Sequence, residues 1–115
     1  MIDTHLSLIR GDYTKFIVTV TVGGSPFSLA GSTLFFTLKD NISRSDTEAA
    51  VSKTITSHFD AAGGISHIEL NPADTYPLQI QTYYYDAQLK LSDGKVYTVA
   101  KGKMNVLADV TRRTV

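Results

Sequence analysis

The sequence predicts an all-β fold, an Ig-like antiparallel β-sandwich of two sheets with about seven strands and one short helical turn. Apolar and polar residues alternate along seven segments, as they do in strands that bury one face. Gly, Pro, Asn and Asp separate these segments at short intervals, and only one stretch carries the signal of a helix start. We therefore expect a single domain that spans residues 1–115.

Composition narrows the classes of function. A chain of 115 residues is long enough to bury one core without disulfide staples. It has no cysteine, so disulfides, thiolate metal sites and cysteine nucleophiles are excluded. Eleven basic and eleven acidic residues give a formal net charge of zero, which favours neither nucleic acid nor a membrane surface as a partner. The first residues lack the pattern of a signal peptide, so we expect a soluble protein without a secretion signal.

A long β-hairpin over residues 81–107 is the element around which we expect the sheet to form. Asp93-Gly94 is typical of a two-residue type I′ turn, which is our preferred interpretation. The register that this turn fixes is Leu91 opposite Val96, Leu89 opposite Thr98, Ala87 opposite Ala100, Tyr85 opposite Gly102 and Asp86 opposite Lys101. The alternative is a three-residue loop with a bulge, which would turn Tyr97 and Val99 inward instead.

The other strands follow from the same alternation. Residues 6–10 form a first strand that ends at Arg10-Gly11-Asp12, which we interpret as a turn and not as an integrin-binding tripeptide. Residues 13–22, 33–39, 51–57 and 65–70 are the next predicted strands. In the second strand we expect Phe16, Val18, Val20 and Val22 to face inward. In the third we expect Leu34, Phe36 and Leu38 to face inward and Phe35 to lie on the opposite face. Phe27 and Leu29 are predicted to close one end of the core.

No pattern of catalytic or metal-binding residues is found. Residues 40–50 form a polar loop that we expect to be mobile, and its Asp40, Asp46 and Glu48 lack the spacing of a calcium loop. The histidines, His5, His58 and His67, are not spaced as metal ligands and are interpreted as surface or satisfied, partly buried residues. We expect a non-enzymatic protein without a metal or cofactor.

A single helical turn is predicted at residues 71–75. Asn71 suits the N-cap, Pro72 the first helical position, and Asp74 the positive end of the helix dipole. We expect Tyr83, on the strand that follows, to pack inward and to form a hydrogen bond through its hydroxyl with the backbone between Ala73 and Gln79. This corner resembles the one before the sixth strand of immunoglobulin domains, where a tyrosine hydroxyl holds the preceding loop.

A second resemblance covers nearly the whole chain. The segments that carry it are Leu8-Ile9-Arg10-Gly11-Asp12, 29–40, Ser52-Lys53-Thr54-Ile55, 68–75, Tyr84-Tyr85-Asp86 and 92–98. In this order they are similar to small virion proteins of tailed bacteriophages related to the N-terminal Ig-like domain of phage baseplate upper proteins.

The resemblance implies a structural protein of the tail, baseplate, neck or capsid that joins or anchors other virion proteins by protein contacts. It further implies assembly in the host cytoplasm and location in the virion. The alternative is a cellular Ig-like binding or adhesion module, and an enzyme is the less favoured third class.

Five residues are candidates for interaction with partners. Phe35 is either a strand residue covered by a loop or a contact for a neighbouring subunit. In the second case Phe35 and Tyr84 would supply apolar contact, and we add Tyr97 on the hairpin. Arg112 and Arg113 lie in the segment 109–115, which retains β-branched residues beyond the last strand. This segment either frays in solvent or lies across a neighbouring subunit, and in the second case the protein is a homo-oligomer in the assembled particle.

Overall fold

The computed structural model describes residues 2–3, 5–43, 45 and 48–108, with the side chains of residues 2 and 3 excepted. Most of these residues lie in strands, which confirms the all-β prediction. The strands are β1 (Ile2–Asp3), β2 (Leu6–Ile9), β3 (Thr14–Thr19), β4 (Thr21–Val22), β5 (Ser25–Pro26), β6 (Thr33–Lys39), β7 (Val51–Ile55), β8 (Ile65–Leu70), β9 (Thr82–Lys90) and β10 (Val96–Leu107). One α-helix, α1 (Pro72–Thr75), lies within the described ranges.

The strands form one large sheet and two small ones. In the six-stranded sheet, β10, β9, β6 and β7 are antiparallel neighbours in that order, and β1 and β2 pair in parallel with β10. Strands β3 and β8 form a two-stranded antiparallel sheet, and β4 pairs with β5. The seven predicted strands are all present, although the bounds of several differ. Strands β1, β4 and β5 are short additions of two residues each.

The core is built by the predicted alternation along the strands. Leu34, Phe36 and Leu38 of β6 are 1%, 1% and 0% exposed, as expected. On β9, every second residue from Tyr83 to Leu89 is buried. Side chains of β3 and β8 belong to the same hydrophobic cluster, and Leu29 is buried in it with Phe27 packed against it. The six-stranded sheet and the β3–β8 sheet therefore share one core.

The preferred interpretation of the hairpin loop was wrong, and the alternative is confirmed. The Leu91 N–H donates to the Lys95 carbonyl at 2.8 Å, and the Gly94 N–H donates to the Leu91 carbonyl at 2.9 Å, so the loop contains three residues. A type I′ turn needs positive φ at both central residues. Among the described residues only glycines have positive φ, and Gly94 is one of them at +93°.

A bulge then corrects the register along the hairpin. Near the loop, Tyr97 pairs with Leu89, where we expected Thr98. The register shifts between Thr98 and Ala100, and from there the predicted pairs of Ala100 with Ala87, Lys101 with Asp86 and Gly102 with Tyr85 are all present. The extra residue at the bulge compensates for the extra residue in the loop. The prediction was therefore right for the body of the hairpin and wrong at its tip.

The second predicted strand is shorter than expected. It is interrupted at Val20, whose N–H donates to the Gly64 carbonyl at 2.8 Å and whose carbonyl accepts from the Phe27 N–H at 3.0 Å. These bonds turn the chain into the β4–β5 hairpin. Val22 was predicted to face inward, but it is largely exposed because it lies on this hairpin and outside the core.

Candidate functional site

The outer face of the six-stranded sheet, the side opposite the core, brings two predicted interaction residues together. Phe35 on β6 and Tyr84 on β9 are both half-buried there. They line a shallow depression of about 500 Å³ together with Ile42, which is 73% exposed in the following loop. Thr37 and Asp86 also line it, and the register places them in the row between Phe35 and Tyr84. The depression is open, so the structure presents aromatic side chains where another surface can contact them.

Lysines flank Tyr84 on both sides. In the register of the sheet, Tyr84 lies between Lys39 of β6 and Lys103 of β10. The neighbouring row places Asp86 between Thr37 and Lys101. Lys90 adds a further ammonium group at the hairpin end of β9. The side chains that the structure describes on this face thus include four lysines and one carboxylate, and the register places a second acidic residue, Asp3 of β1, beside Lys101.

Tyr97 lies elsewhere. Because it pairs with buried Leu89, it points to the core side of the sheet and not to the outer face. It is 51% exposed at the open end of the core, where it lines an apolar groove of about 820 Å³. The other apolar residues of this groove are Val20, Val22, Phe27, Leu89, Leu91 and Val99. The preferred two-residue loop would have turned Tyr97 to the outer face, and this consequence was wrong for the same reason as the loop.

Arg112 and Arg113, the remaining candidates, lie outside the described residues. The predictions made for segment 109–115 therefore stay predictions.

The predicted tyrosine corner is present. The Tyr83 hydroxyl accepts a hydrogen bond from the Gln79 backbone N–H at 2.9 Å, within the range that the sequence predicted. The helical turn that precedes it holds a second loop: Thr75 accepts from the Gly11 N–H at 3.0 Å and donates to the Asp12 carbonyl at 3.0 Å. Arg10-Gly11-Asp12 is thus a turn, as predicted, and its Gly11 is buried at φ +87°.

Asp74 carries the clearest electrostatic perturbation near this corner. Burial by itself raises the pKa of the Asp74 carboxyl. Hydrogen bonds from Lys53 Nζ and from the Asn71 backbone N–H, both at 2.8 Å, together with the charge of Lys53, outweigh burial and hold the pKa below its ordinary value. The carboxylate therefore caps α1 and ties it to β7.

His58 is a satisfied, partly buried residue, as expected. Its Nε2 lies 2.9 Å from the Ser32 carbonyl oxygen, and its Nδ1 lies 2.9 Å from Ser66 Oγ. A carbonyl only accepts, so Nε2 carries the proton. Ser66 is fully buried, and the ring thus links β8 to the residue before β6. His67 stacks on Phe59 with ring centroids 4.3 Å apart.

Metal ligation and membrane insertion by a helix find no support in the described part of the chain. It contains no group of three histidine, cysteine or acidic residues placed to hold a metal ion. None of the helices found within it has the length and apolar character needed to cross a membrane.

Comparison with known proteins found no family model that matches this chain and no curated protein that matches it significantly.

The sequence predicted the aromatic residues of the outer face. It did not predict the grouping of Lys39, Lys101 and Lys103 on that face or the apolar groove beside Tyr97. The spacing of Lys101 and Lys103 by two residues is a usable signal, because such residues lie on one face of a strand. Their proximity to Lys39 depends on the lateral order of β6, β9 and β10, which no local pattern contains.

Proposed function

We propose that this protein is a non-enzymatic structural protein of a tailed bacteriophage, an Ig-like module that joins or anchors other virion proteins by protein contacts. The observation that carries the contact function is the outer face, where half-buried Phe35 and Tyr84 line an open depression. Aromatic residues are enriched where proteins bind one another. The phage context is supported by the sequence resemblance, whose segments run in family order along the chain.

The proposed fold within the all-β class is an Ig-like sandwich of two sheets. In immunoglobulin domains the third, sixth and seventh strands lie in one sheet, and the second and fifth lie in the other. Strands β6, β9 and β10 correspond to the first group, and β3 and β8 correspond to the second. The extra strand β7 beside β6 fits the variable type. The bond between Tyr83 and Gln79 supports the same assignment.

The proposed partners are other virion proteins and further copies of this chain. Within the described residues, β7 lies at an edge of the six-stranded sheet, with β6 as its neighbour on one side. Such an edge offers backbone hydrogen bonds to an added strand. A strand from a neighbouring subunit would therefore be accommodated there.

The test is the protein content of particles. The phage that encodes the chain is grown, its particles are purified on a density gradient, and antibody against this chain is applied to them for electron microscopy. We expect labelling at a fixed place on the particle. Particles that lack the polypeptide, from a lysate that contains it, overturn the proposal.

The contact face is tested in the same particles with two variants. Phe35→Ser combined with Tyr84→Ser removes the aromatic contact, and we expect reduced incorporation. The matched control is Ile17→Ser, because Ile17 is 62% exposed on β3, in the other sheet. Equal incorporation of both variants contradicts a role for the outer face.

A further inference from the structure

The outer face concentrates positive charge on a protein whose formal net charge is zero. Its described side chains include Lys39, Lys90, Lys101 and Lys103 and one carboxylate, Asp86. The register also places Asp3 of β1 beside Lys101, so this face has four lysine positions and two acidic positions. On the β3–β8 sheet, by contrast, Lys15 lies directly opposite Glu69, so that pair is neutral. The charge of the outer face is thus a local property, and the whole molecule does not share it.

The row through Tyr84 has a geometry suited to an acidic ligand. Neighbouring strands lie about 4.8 Å apart, so the backbones of Lys39 and Lys103 are about 10 Å apart with Tyr84 between them. Lys101 lies on the same face two residues along β10, about 7 Å from Lys103. Each ammonium group offers three hydrogen-bond donors to carboxylate oxygens. The depression beside Phe35 lies next to this row.

We propose that the outer face binds an acidic segment of a partner protein. Its carboxylates contact Lys101 and Lys103, and an apolar side chain contacts the ring of Tyr84. This inference rests on the proposed contact function and adds the chemistry of the partner. Complementary charge across an interface accelerates association and rejects partners of like charge.

The overall charge favours an acidic protein over a nucleic acid. Nucleic-acid-binding domains are typically basic as a whole, because their affinity comes largely from neutralised phosphates. This chain is neutral, with an isoelectric point near 6.8. Only the few lysines of the outer face would therefore attract a phosphate backbone. An extended segment turns every second side chain toward the sheet, so a segment in which pairs of acidic residues alternate with pairs of apolar residues presents carboxylate and apolar side chains in turn to the lysine and aromatic positions.

The experiment measures binding of two fluorescein-labelled probes by anisotropy at low and at physiological ionic strength. One probe is a peptide in which pairs of glutamates alternate with pairs of leucines, so that both kinds of side chain share a face when it is extended. The other is an oligothymidylate of the same net charge. We expect the peptide to bind more tightly, and more weakly as salt is raised. The variant that combines Lys101→Gln with Lys103→Gln removes two positive charges and adds no negative charge beside Asp86. It should bind the peptide about tenfold more weakly than the unmodified protein.

The matched control removes two lysines elsewhere, by Lys15→Gln with Lys95→Gln. We expect it to bind the peptide as the unmodified protein does. Circular dichroism establishes that both variants fold. Absence of peptide binding, equal binding by both variants, or tighter binding of the oligothymidylate each overturns the inference. Failure of the proposed function is separate, because it is read from the particles: a protein that is incorporated but does not bind the peptide refutes only the acidic partner.

Discussion

The Tyr83 hydroxyl accepts a hydrogen bond from the Gln79 backbone N–H at 2.9 Å, and Tyr83 as a whole is 4% exposed. One side chain thus fills the core at the start of β9 and also holds the segment that leads into that strand. The backbone group that it satisfies lies four residues earlier in the chain. This local bond fixes the corner between α1 and β9.

The first prediction removes this bond. Tyr83→Phe keeps the ring but loses the acceptor, and we expect the free energy of unfolding to fall by about 1 kcal/mol. Gln79 is exposed, so water can reach the released N–H and limits the cost. Urea denaturation measures the change. The control is Tyr97→Phe, at a tyrosine that is half exposed, and it should leave the midpoint unchanged. Equal midpoints for both variants would show that the corner bond does not stabilise the fold.

The second prediction concerns Thr75, which is 0% exposed and connects α1 to the turn after β2. Thr75→Val keeps the shape of the side chain but leaves the Gly11 N–H, which is in a buried residue, without its acceptor. We expect a loss of about 2 kcal/mol, since an unsatisfied buried donor costs more than an average hydrogen bond contributes.

Thr75→Ser is the matched variant, because it retains the hydroxyl and removes only a methyl group. Its expected cost is about 1 kcal/mol, from lost burial alone. Thermal unfolding followed by circular dichroism compares the two. If the valine variant is the more stable one, the hydroxyl has no structural role.

The third prediction is a dependence on pH. The pKa of Asp74 is lower in the folded state than its ordinary value, so the unfolded state binds more protons in this range. The resulting stability is present above the ordinary aspartate pKa of about 3.9 and is lost as pH falls through the lower, folded-state value. Asp74→Asn should therefore show a smaller loss of stability between neutral and acid pH than the unmodified protein shows.

Urea midpoints at neutral and acid pH measure this difference. Asp93→Asn is the control, because the Asp93 side chain is 55% exposed and its distance of 3.8 Å from Lys95 Nζ is long. We expect its pH dependence to follow that of the unmodified protein. If the urea midpoints of all three proteins fall equally between neutral and acid pH, Asp74 does not contribute to the loss of stability in acid.

Local patterns were sufficient to predict much of this fold. The alternation in β6 identified its bounds and all three inward side chains, because a strand with one buried face has a period of two residues. Likewise Asn71, Pro72 and Asp74 identified α1, since each satisfies a requirement of a helix N-terminus. The tyrosine corner was also predicted, and its bond spans only four residues.

The error at the tip of the hairpin occurs where two local solutions are compatible with the same residues. Asp93-Gly94 fits a two-residue loop and also a three-residue loop, since both need Gly94 at positive φ. The two loops differ in the pairing of the strands, because the two-residue loop pairs Leu89 with Thr98 and the three-residue loop pairs it with Tyr97. In the structure the bulge after Thr98 allows a longer loop without displacing Ala100 from the core.

The site was predictable only in part, for a related reason. Alternation placed Phe35 on the face opposite the core. Tyr84 lies on that face as well, because its neighbours Tyr83 and Tyr85 are buried. That Tyr84 lies between Lys39 and Lys103 depends on which strands are neighbours. This order is set by contacts between residues far apart in the sequence.

The last prediction distinguishes the two loop types. In a type I′ turn both Asp93 and Gly94 would need positive φ, so alanine would be strained at either position. In the three-residue loop only Gly94 has positive φ, at +93°, and Asp93 merely accepts a bond from the Lys95 N–H at 3.0 Å. Gly94→Ala should thus lower the free energy of unfolding by about 1–2 kcal/mol, and Asp93→Ala by only about 0.5 kcal/mol.

A new Cβ on Gly94 meets no atom within 4 Å, so the cost reports backbone strain. Gly94→Asn should recover part of the loss, because asparagine tolerates positive φ. Equal losses for the two alanine variants in urea denaturation would instead favour the type I′ turn.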